Sequence, residues 1–129
     1  MQIFLSYHQA DESFAESLSK ELQQRGLEVW RDTERLLPGD NWASAVAKAL
    51  EKSKAMVVLI SPASMESKYV RNEIQYALGD LNYDHRIFPV LVHETPDIPW
   101  ILSRFEILKA NRGAAKVSDA IAGALKQVA

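Results

Sequence analysis

The amino-acid sequence predicts an α/β protein in which a five-stranded parallel sheet lies between two layers of helices. Five strand-length apolar runs and a set of amphipathic helical stretches alternate along the 129 residues. The run AMVVLIS at residues 55–61 is almost entirely apolar, which is typical of a strand covered on both faces. With the common strand order 2-1-3-4-5, these repeats form a flavodoxin-like three-layer sandwich.

The first repeat begins with the β-rich run QIFLS at residues 2–6. A helix is predicted next, because apolar side chains recur at helical spacing at Phe14, Leu18 and Leu22. Asp11 stands where a capping side chain belongs, and Gly26 stands where the helix should end. We therefore expect the Asp11 carboxylate to cap this helix and Gly26 to stop it.

The second and third repeats follow the same plan. The strand LEVWR at residues 27–31 precedes a long loop, DTERLLPGDN, with a Pro38-Gly39 turn signal. The second helix is predicted from its apolar positions, Trp42, Val46, Ala49 and Leu50. The run at 55–61 is the third strand, and the third helix has an apolar face formed by Val70, Ile74, Ala77 and Leu78.

The last two repeats are less regular. The strand RIFPVLV at residues 86–92 contains Pro89, which indicates a bulge or an edge position because proline cannot donate to a sheet ladder. FEILKA at residues 105–110 predicts a weak fifth strand. The last helix is predicted from Val117, Ile121, Leu125 and Val128. Since no linker divides the chain, we expect residues 1–129 to form a single domain.

The composition excludes several classes of protein. A net charge of -2 argues against a nucleic-acid partner, and the absence of cysteine excludes disulfides, thiolate nucleophiles and zinc-thiolate sites. The opening MQIFLSYHQAD has no basic head followed by a long apolar stretch, so it does not resemble a signal peptide. The apolar run at 55–60 is too short to span a bilayer. We expect a soluble, cytoplasmic protein with no membrane partner.

A ligand site in such a sheet is expected beyond the carboxyl ends of strands one and three, where the strand order reverses. The predicted elements bring four segments there: residues 6–8, 32–39, 61–64 and the start of the third helix. These segments lack the acids and lysine of a response-regulator receiver, and no G-x-G, P-loop or G-x-S-x-G motif occurs in the chain. The three histidines lie on separate elements, so no metal site is expected.

Three segments together resemble a known family. IFLSYHQAD, GLEVWRDTERLLPGDNW and VVLISPASMESKYVRNEI are similar, in order and spacing, to the three signature boxes of the TIR (Toll/interleukin-1 receptor) domain. IFPVLV and IPWILSRFEIL resemble the later part of that family. The resemblance covers essentially the whole chain, and its short loops are similar to those of bacterial members.

The resemblance implies one of two functions. Some TIR domains cleave NAD+ at the nicotinamide–ribose bond, releasing nicotinamide and ADP-ribose or a cyclic form of it, and others act as signalling scaffolds through homotypic contacts. In the enzymes a glutamate follows an aromatic residue by four positions, early in the third helix. Here Glu73 matches the glutamate and Tyr69 the aromatic residue, with Tyr-Val in place of the usual Trp-Cys. The bacterial enzymes act in immune defence.

One carboxylate is chemically sufficient for this reaction. Glycosidases need a second acid to protonate the leaving oxygen, whereas the nicotinamide of NAD+ is already cationic and leaves as a neutral molecule. A carboxylate near the ribose can stabilise the positive charge that develops on the sugar. Tyr69 and Glu73 share one helix face, and we expect both at the flank of the packed face, where Glu73 is half-sheltered.

The resemblance also implies supporting residues for an NAD+ site. Tyr7 and His8 match positions on the nicotinamide and ribose side, while Asp32 and Arg35 match a loop that presents a basic residue to the phosphates. NAD+ is then the substrate, and no cofactor is expected. Further hydrogen-bonding and loop contacts to NAD+ are predicted for Ser6, Ser61 and Gly39. The self-association loop of the family corresponds to Leu36, Leu37, Pro38 and Gly39, with other TIR domains as partners.

Each of these residues also has a simpler interpretation. Glu73 and Arg35 are typical solvated charges, Tyr69 is a typical packing aromatic residue, and Asp32 could bond its own backbone in a turn. A scaffold domain would carry the same residues without turnover. We expect an NAD+-cleaving enzyme that is activated by self-association, with the scaffold domain as the alternative.

Overall fold

The computed structural model describes residues 1–31 and 39–128, with side chains for 1–31 and 43–126. Its centre is a five-stranded parallel sheet in the order β2-β1-β3-β4-β5, which confirms the predicted fold class and strand order. The strands are β1 (Gln2–Ser6), β2 (Glu28–Arg31), β3 (Ala55–Ile60), β4 (Ile87–Leu91) and β5 (Leu108–Lys109). β5 has only two residues, so the predicted fifth strand at 105–110 was too long.

α-Helices follow β1, β2, β3 and β5, whereas only a 3-10 turn lies in the described residues between β4 and β5. The helices are α1 (Glu12–Gln24), α2 (Gly39–Lys52), α3 (Pro62–Glu66), α4 (Lys68–Leu78) and α5 (Ala114–Val128). Short 3-10 turns occupy Gln9–Asp11, Leu81–Tyr83, Leu102–Arg104 and Ala110–Arg112. Within the described residues, no helix is long and apolar enough to cross a membrane.

The alternation of side chains along β1 divides the core into two layers. Ile3, Leu5 and Tyr7 pack with residues of α1 and α5 on one face of the sheet. Phe4 packs with residues of α2 and α4 on the other face. Successive side chains of a strand point to opposite faces, so Ser6 is delivered to the same side as Phe4. This parity places the Ser6 hydroxyl beneath α4.

The segment after β3 differs from the prediction of a single helix. α3 ends at Glu66 and α4 begins at Lys68, because Ser67 has an extended backbone (φ -76°, ψ 124°) that interrupts the helical hydrogen bonds. The Ser67 side chain accepts a hydrogen bond from the Val70 amide and caps α4. The break lets α4 start in a new direction immediately before Tyr69.

The face that α4 buries also differs from the prediction. Val70, Ile74 and Ala77 are buried as expected, but Leu78 is 38% exposed and Glu73 takes its place in the packed face. The prediction that Leu78 packs and that Glu73 lies half-sheltered at the flank was therefore wrong. The physical reason is a polar partner across the interface, described below.

Two smaller predictions have mixed outcomes. Asp11 precedes α1 but makes no capping hydrogen bond with its side chain, because its carboxylate is directed at Ser61 instead. Pro89 lies in β4 opposite Val58 of β3, while β5 pairs only with Val90 and Leu91. β5 does not extend as far as Pro89. The missing amide hydrogen of Pro89 therefore breaks no hydrogen bond between β4 and β5.

Gly26 confirms the predicted end of α1 through its backbone conformation. Its φ is +82°, and the amide of the next residue, Leu27, donates to the Leu22 carbonyl at 3.2 Å. A left-handed residue followed by such a bond is the Schellman ending of a helix. Any residue with a Cβ is strained at this φ.

We expect Gly26→Ala to lower the free energy of unfolding by about 1 kcal/mol, because alanine resists the left-handed backbone. Gly123→Ala is the matched control: Gly123 lies inside α5, and an added Cβ there meets nothing within 4 Å. Alanine stabilises a helix interior by roughly 0.5–1 kcal/mol relative to glycine. Urea denaturation measures both changes, and equal signs for the two variants would contradict this interpretation.

Candidate functional site

The site is built around Glu73, which is a buried carboxylate. Glu73 is 4% exposed and lies among the apolar residues of α4 that face the sheet. The Ser6 hydroxyl, at the carboxyl end of β1, donates a hydrogen bond to Glu73 Oε1 at 2.7 Å. A charge in an apolar layer needs such bonds, since burying it without a partner costs several kcal/mol. Ser6 therefore supplies the polar contact that an apolar core side chain could not.

A cleft between α2 and α4 reaches this buried acid. The cleft has a volume of about 320 Å³, within the size range of small-molecule pockets. We call it the Glu73 cleft, and its lining residues are Ala43, Val46, Ala47, Leu50, Tyr69, Asn72, Glu73 and Tyr76. Its walls are largely apolar, and Glu73 is the acid among its described lining residues. A ligand in the cleft can thus meet the carboxylate in a poorly solvated setting.

A second cleft adjoins the first across α4. It has a volume of about 700 Å³ and is called here the His8 cleft, lined by His8, Ala63, Glu66, Ser67, Lys68, Tyr69 and Asn72. Tyr69 and Asn72 line both clefts. Tyr69 is 52% exposed, so its ring stands at the boundary between them. One elongated ligand could occupy both spaces.

His8 is held at the edge of its cleft by a local hydrogen bond. Its Nδ1 accepts from the Ala10 amide at 3.0 Å, which orients the imidazole ring just beyond β1. With Nδ1 acting as an acceptor, the neutral ring carries its proton on Nε2. His8 can therefore donate a hydrogen bond from Nε2.

Tyr76 also lines the Glu73 cleft. Burial, followed by the negative charge of Asp80, raises the pKa of the Tyr76 phenol above its ordinary value. The ring of Tyr76 contacts Tyr83 edge to face, with 6.2 Å between the ring centroids. Tyr76 is consequently a neutral hydroxyl throughout the physiological pH range.

Two predicted site residues lie away from both clefts. Tyr7 is directed to the α1 and α5 side of the sheet, where its hydroxyl donates to Glu12. Arg31 contacts the same carboxylate, with 3.0 Å between Nη1 and Oε1. Ser61 caps α3 and donates to Asp11. The structure therefore brings together Ser6, Glu73, Tyr69 and His8, but not Tyr7 or Ser61.

The remaining predicted residues fall in or beside the loop after β2. Asp32, Arg35, Leu36, Leu37 and Pro38 lie outside the described residues. Gly39 is the first residue of α2. Their roles in NAD+ binding and self-association stay predictions.

A separate polar cluster at the carboxyl edge of the sheet was not predicted. Asp11 is buried, and its Oδ2 accepts the Ser61 hydroxyl at 2.5 Å. The exposed His93, which follows β4, places Nε2 3.6 Å from Asp11 Oδ1. Its members are distant in sequence, so no local pattern could have revealed it. Among the described residues, no three histidine or acidic side chains are arranged to hold one metal ion.

Sequence reasoning also missed Asn72 and Lys68 as lining residues. Asn72 is shared by both clefts, and Lys68 adds a positive charge to the His8 cleft. Asn72 follows Tyr69 by three residues, and residues at that spacing share a helix face. That spacing was the available signal.

Comparisons with known proteins agree on one family. A sequence profile of the TIR domain matches residues 3–125. The NAD(+) hydrolase ApTIR of Actinoplanes is 34% identical over 97 residues, which cover 68% of this chain and 13% of that protein. The probable 2' cyclic ADP-D-ribose synthase TcpO of Methanobrevibacter olleyae is 29% identical over 90 residues, which cover 69% of this chain and 26% of that protein. The chain thus spans about a quarter or less of these relatives.

A solved structure shows the same fold. The TIR domain of the Toll-related receptor TRR-2 from Hydra magnipapillata superposes with a TM-score of 0.67 at 20% sequence identity. The match covers 83% of this chain and 82% of that domain.

We expect Ser61→Ala to lower the free energy of unfolding by about 1–3 kcal/mol, because it removes a hydrogen bond to the buried Asp11 carboxylate and the cap of α3. Ser103→Ala is the control, since the Ser103 hydroxyl bonds a backbone carbonyl on the surface and its loss should change stability by less than about 0.5 kcal/mol. Urea denaturation measures both variants. Losses of equal size would show that the Asp11 contact contributes nothing.

Proposed function

Because the chain belongs to the TIR-domain family, we propose that it cleaves NAD+ at the nicotinamide–ribose bond with Glu73 as the catalytic residue. The observation that carries the proposal is a buried carboxylate at the wall of a cleft, one helical turn beyond an exposed aromatic ring. The similarity to proteins named as an NAD(+) hydrolase and a cyclic ADP-D-ribose synthase supports it.

The proposed step breaks the bond between the ribose anomeric carbon and the nicotinamide nitrogen. The electron pair of that bond moves onto the nitrogen, so the pyridinium loses its positive charge and leaves as neutral nicotinamide. Positive charge then develops on the ribose ring, as in other glycosidic cleavages. Attack by water gives ADP-ribose and releases one proton. Attack by a nucleophilic group of the same molecule gives a cyclic form of ADP-ribose.

Glu73 acts in this scheme by stabilising the positive charge on the ribose. Its carboxylate lies in a layer formed with Val70, Ile74 and Ala77, where the effective dielectric constant is lower than in water. Electrostatic stabilisation is stronger in such a site and needs no reorganisation when the charge appears. The carboxylate can also accept hydrogen bonds from the ribose hydroxyls and orient the sugar. No proton donor is required for departure of nicotinamide.

The two adjoining clefts fit an elongated dinucleotide. Tyr69 stands between them and presents an aromatic ring on which a flat heterocycle can stack. His8 and Asn72 can donate hydrogen bonds in the His8 cleft, where Lys68 contributes a positive charge beside the negative charge of Glu66. Asp32 and Arg35 remain proposed contacts to the same substrate.

Self-association is a further part of the proposal. In the family resemblance, residues 36–39 form a contact loop, and neighbouring copies complete the site. We propose that this chain also becomes active on assembly, in a bacterial immune response. Dilute protein would then turn over NAD+ slowly, and clustered protein rapidly.

We expect Glu73→Gln to lower the rate of nicotinamide release by at least about 100-fold, because it removes the charge that stabilises the transition state. Release is measured by chromatography with concentrated and artificially clustered protein. Glu16→Gln is the matched control, since Glu16 is an exposed acid of α1 paired with Lys20.

Equal turnover by Glu73→Gln and the unaltered protein would contradict the catalytic role of Glu73. If no clustering condition gave turnover in the unaltered protein, a scaffold that acts through homotypic contacts would be favoured instead. Circular dichroism of each variant confirms that the fold is retained.

We expect Tyr69→Ala to lower kcat/KM for NAD+ by about two- to tenfold, because an aromatic stacking contact contributes roughly 0.5–1.5 kcal/mol. Tyr69→Phe keeps the ring and should retain most activity. Since Tyr69 is half exposed, neither substitution should change the thermal midpoint by more than a few degrees. If alanine and phenylalanine gave the same activity, the ring would have no part in binding.

A further inference from the structure

We propose that Ser6 is a positioning residue for Glu73, in place of the substrate contact that the sequence predicted for it. This inference rests on the proposed NAD+ cleavage. Ser6 is 0% exposed and lines neither cleft, so a bound dinucleotide has no path to its hydroxyl. The hydroxyl instead donates to Glu73 Oε1 at 2.7 Å. Its effect on the reaction must therefore pass through the carboxylate.

The geometry makes Ser6 a firm anchor. It ends β1, which is paired on both sides, and it stands opposite Val58 in the register with β3. The Ser6 side chain has a single torsion before its oxygen, so strand position and rotamer together determine where the donor lies. Glu73, in contrast, has three side-chain torsions. The hydrogen bond therefore holds the end of the flexible Glu73 side chain against the rigid sheet.

The anchor also selects one orientation of the carboxylate. An ionised carboxylate accepts at two oxygens with about four lone-pair directions. Holding Oε1 against β1 sets the direction in which the carboxylate plane meets the Glu73 cleft. A reacting group displaced by about 1 Å can lose on the order of 100-fold in rate. The contact between Ser6 and Glu73 should therefore govern turnover more than substrate binding.

The test replaces the hydroxyl and separates kcat from KM. We expect Ser6→Ala to lower kcat by about 10- to 100-fold while KM changes less than about twofold, because the carboxylate loses its orientation and the substrate loses no contact. Ser6→Cys is the second variant if Ser6→Ala does not fold. It keeps a side chain of the same shape, slightly larger than serine, but has only a weak donor, and we expect kcat to fall in the same way.

A matched control separates positioning from general destabilisation. Ser53 is also 0% exposed, and its hydroxyl accepts a hydrogen bond from Gln2 at 2.8 Å. Ser53 precedes the amino end of β3, whereas Ser6 lies at the carboxyl end of β1, so the two residues are at opposite ends of the parallel strands. Ser53→Ala thus removes an equally buried hydroxyl, and we expect it to lower the thermal midpoint without changing kcat. If Ser53→Ala lowered kcat as much as Ser6→Ala, the positioning role would be overturned.

A second measurement does not depend on activity. In a thermal double-mutant cycle of Ser6→Ala with Glu73→Ala, we expect the losses in midpoint to be non-additive, because the two residues share one hydrogen bond. Additive losses would overturn the proposal. So would a folded Ser6→Ala with unaltered kcat, or one whose defect lies in KM. Absence of NAD+ turnover in the unaltered protein contradicts the proposed function alone, and the cycle still tests the contact.

Discussion

The position of β1 in the middle of the sheet is the constraint on which the site depends. β1 is paired with β2 on one side and β3 on the other, and both of its faces are covered by helices. The layer that each side chain of β1 enters is fixed, because successive side chains of a strand point to opposite faces of the sheet. Ser6 is thereby placed under α4 and Tyr7 under α1. A shift of one residue in register would exchange them and remove the hydrogen bond from Ser6 to Glu73.

The burial of Glu73 lowers the stability of the fold but strengthens the electrostatic effect of its carboxylate. An acid in an apolar layer loses hydration, and hydrogen bonds such as the one from Ser6 offset part of that cost. Such local conflicts with good packing are expected where a protein has a function to perform. The same low-dielectric surroundings strengthen the field of the carboxylate at the cleft. The Glu73 cleft therefore has the physical character that the proposed reaction requires.

A second polar contact stiffens the neighbouring part of the sheet edge. The Asp11 carboxylate joins the start of α1 to the cap of α3 through Ser61. α3 leads directly into Ser67 and the start of α4. The segment that carries Tyr69 and Glu73 is thus tied to the sheet at both Ser61 and Ser6. Rigid placement of this kind is what the proposed catalysis by Glu73 would need.

The sequence alone predicted the first four strands and the end of the first helix, and the common order of such sheets supplied the strand order. Hydrophobic periodicity and the backbone freedom of glycine are local properties, so β1, β3 and the end of α1 at Gly26 could be predicted from short segments. The resemblance of three segments to the TIR family pointed to Glu73 and Tyr69 as candidate site residues. These predictions required no knowledge of what packs across the sheet.

The tertiary structure decided which side chains of α4 are buried. On a helix, Glu73 and Leu78 lie about equally far from the centre of the face formed by Val70, Ile74 and Ala77, at roughly 70° on either side. Polarity favoured Leu78 for burial, yet the fold buries Glu73 and exposes Leu78. The Ser6 hydroxyl, 67 residues earlier in the chain, contributes to this outcome through its hydrogen bond to Glu73. Helical periodicity carries no information about a partner that only the folded sheet brings within hydrogen-bond distance.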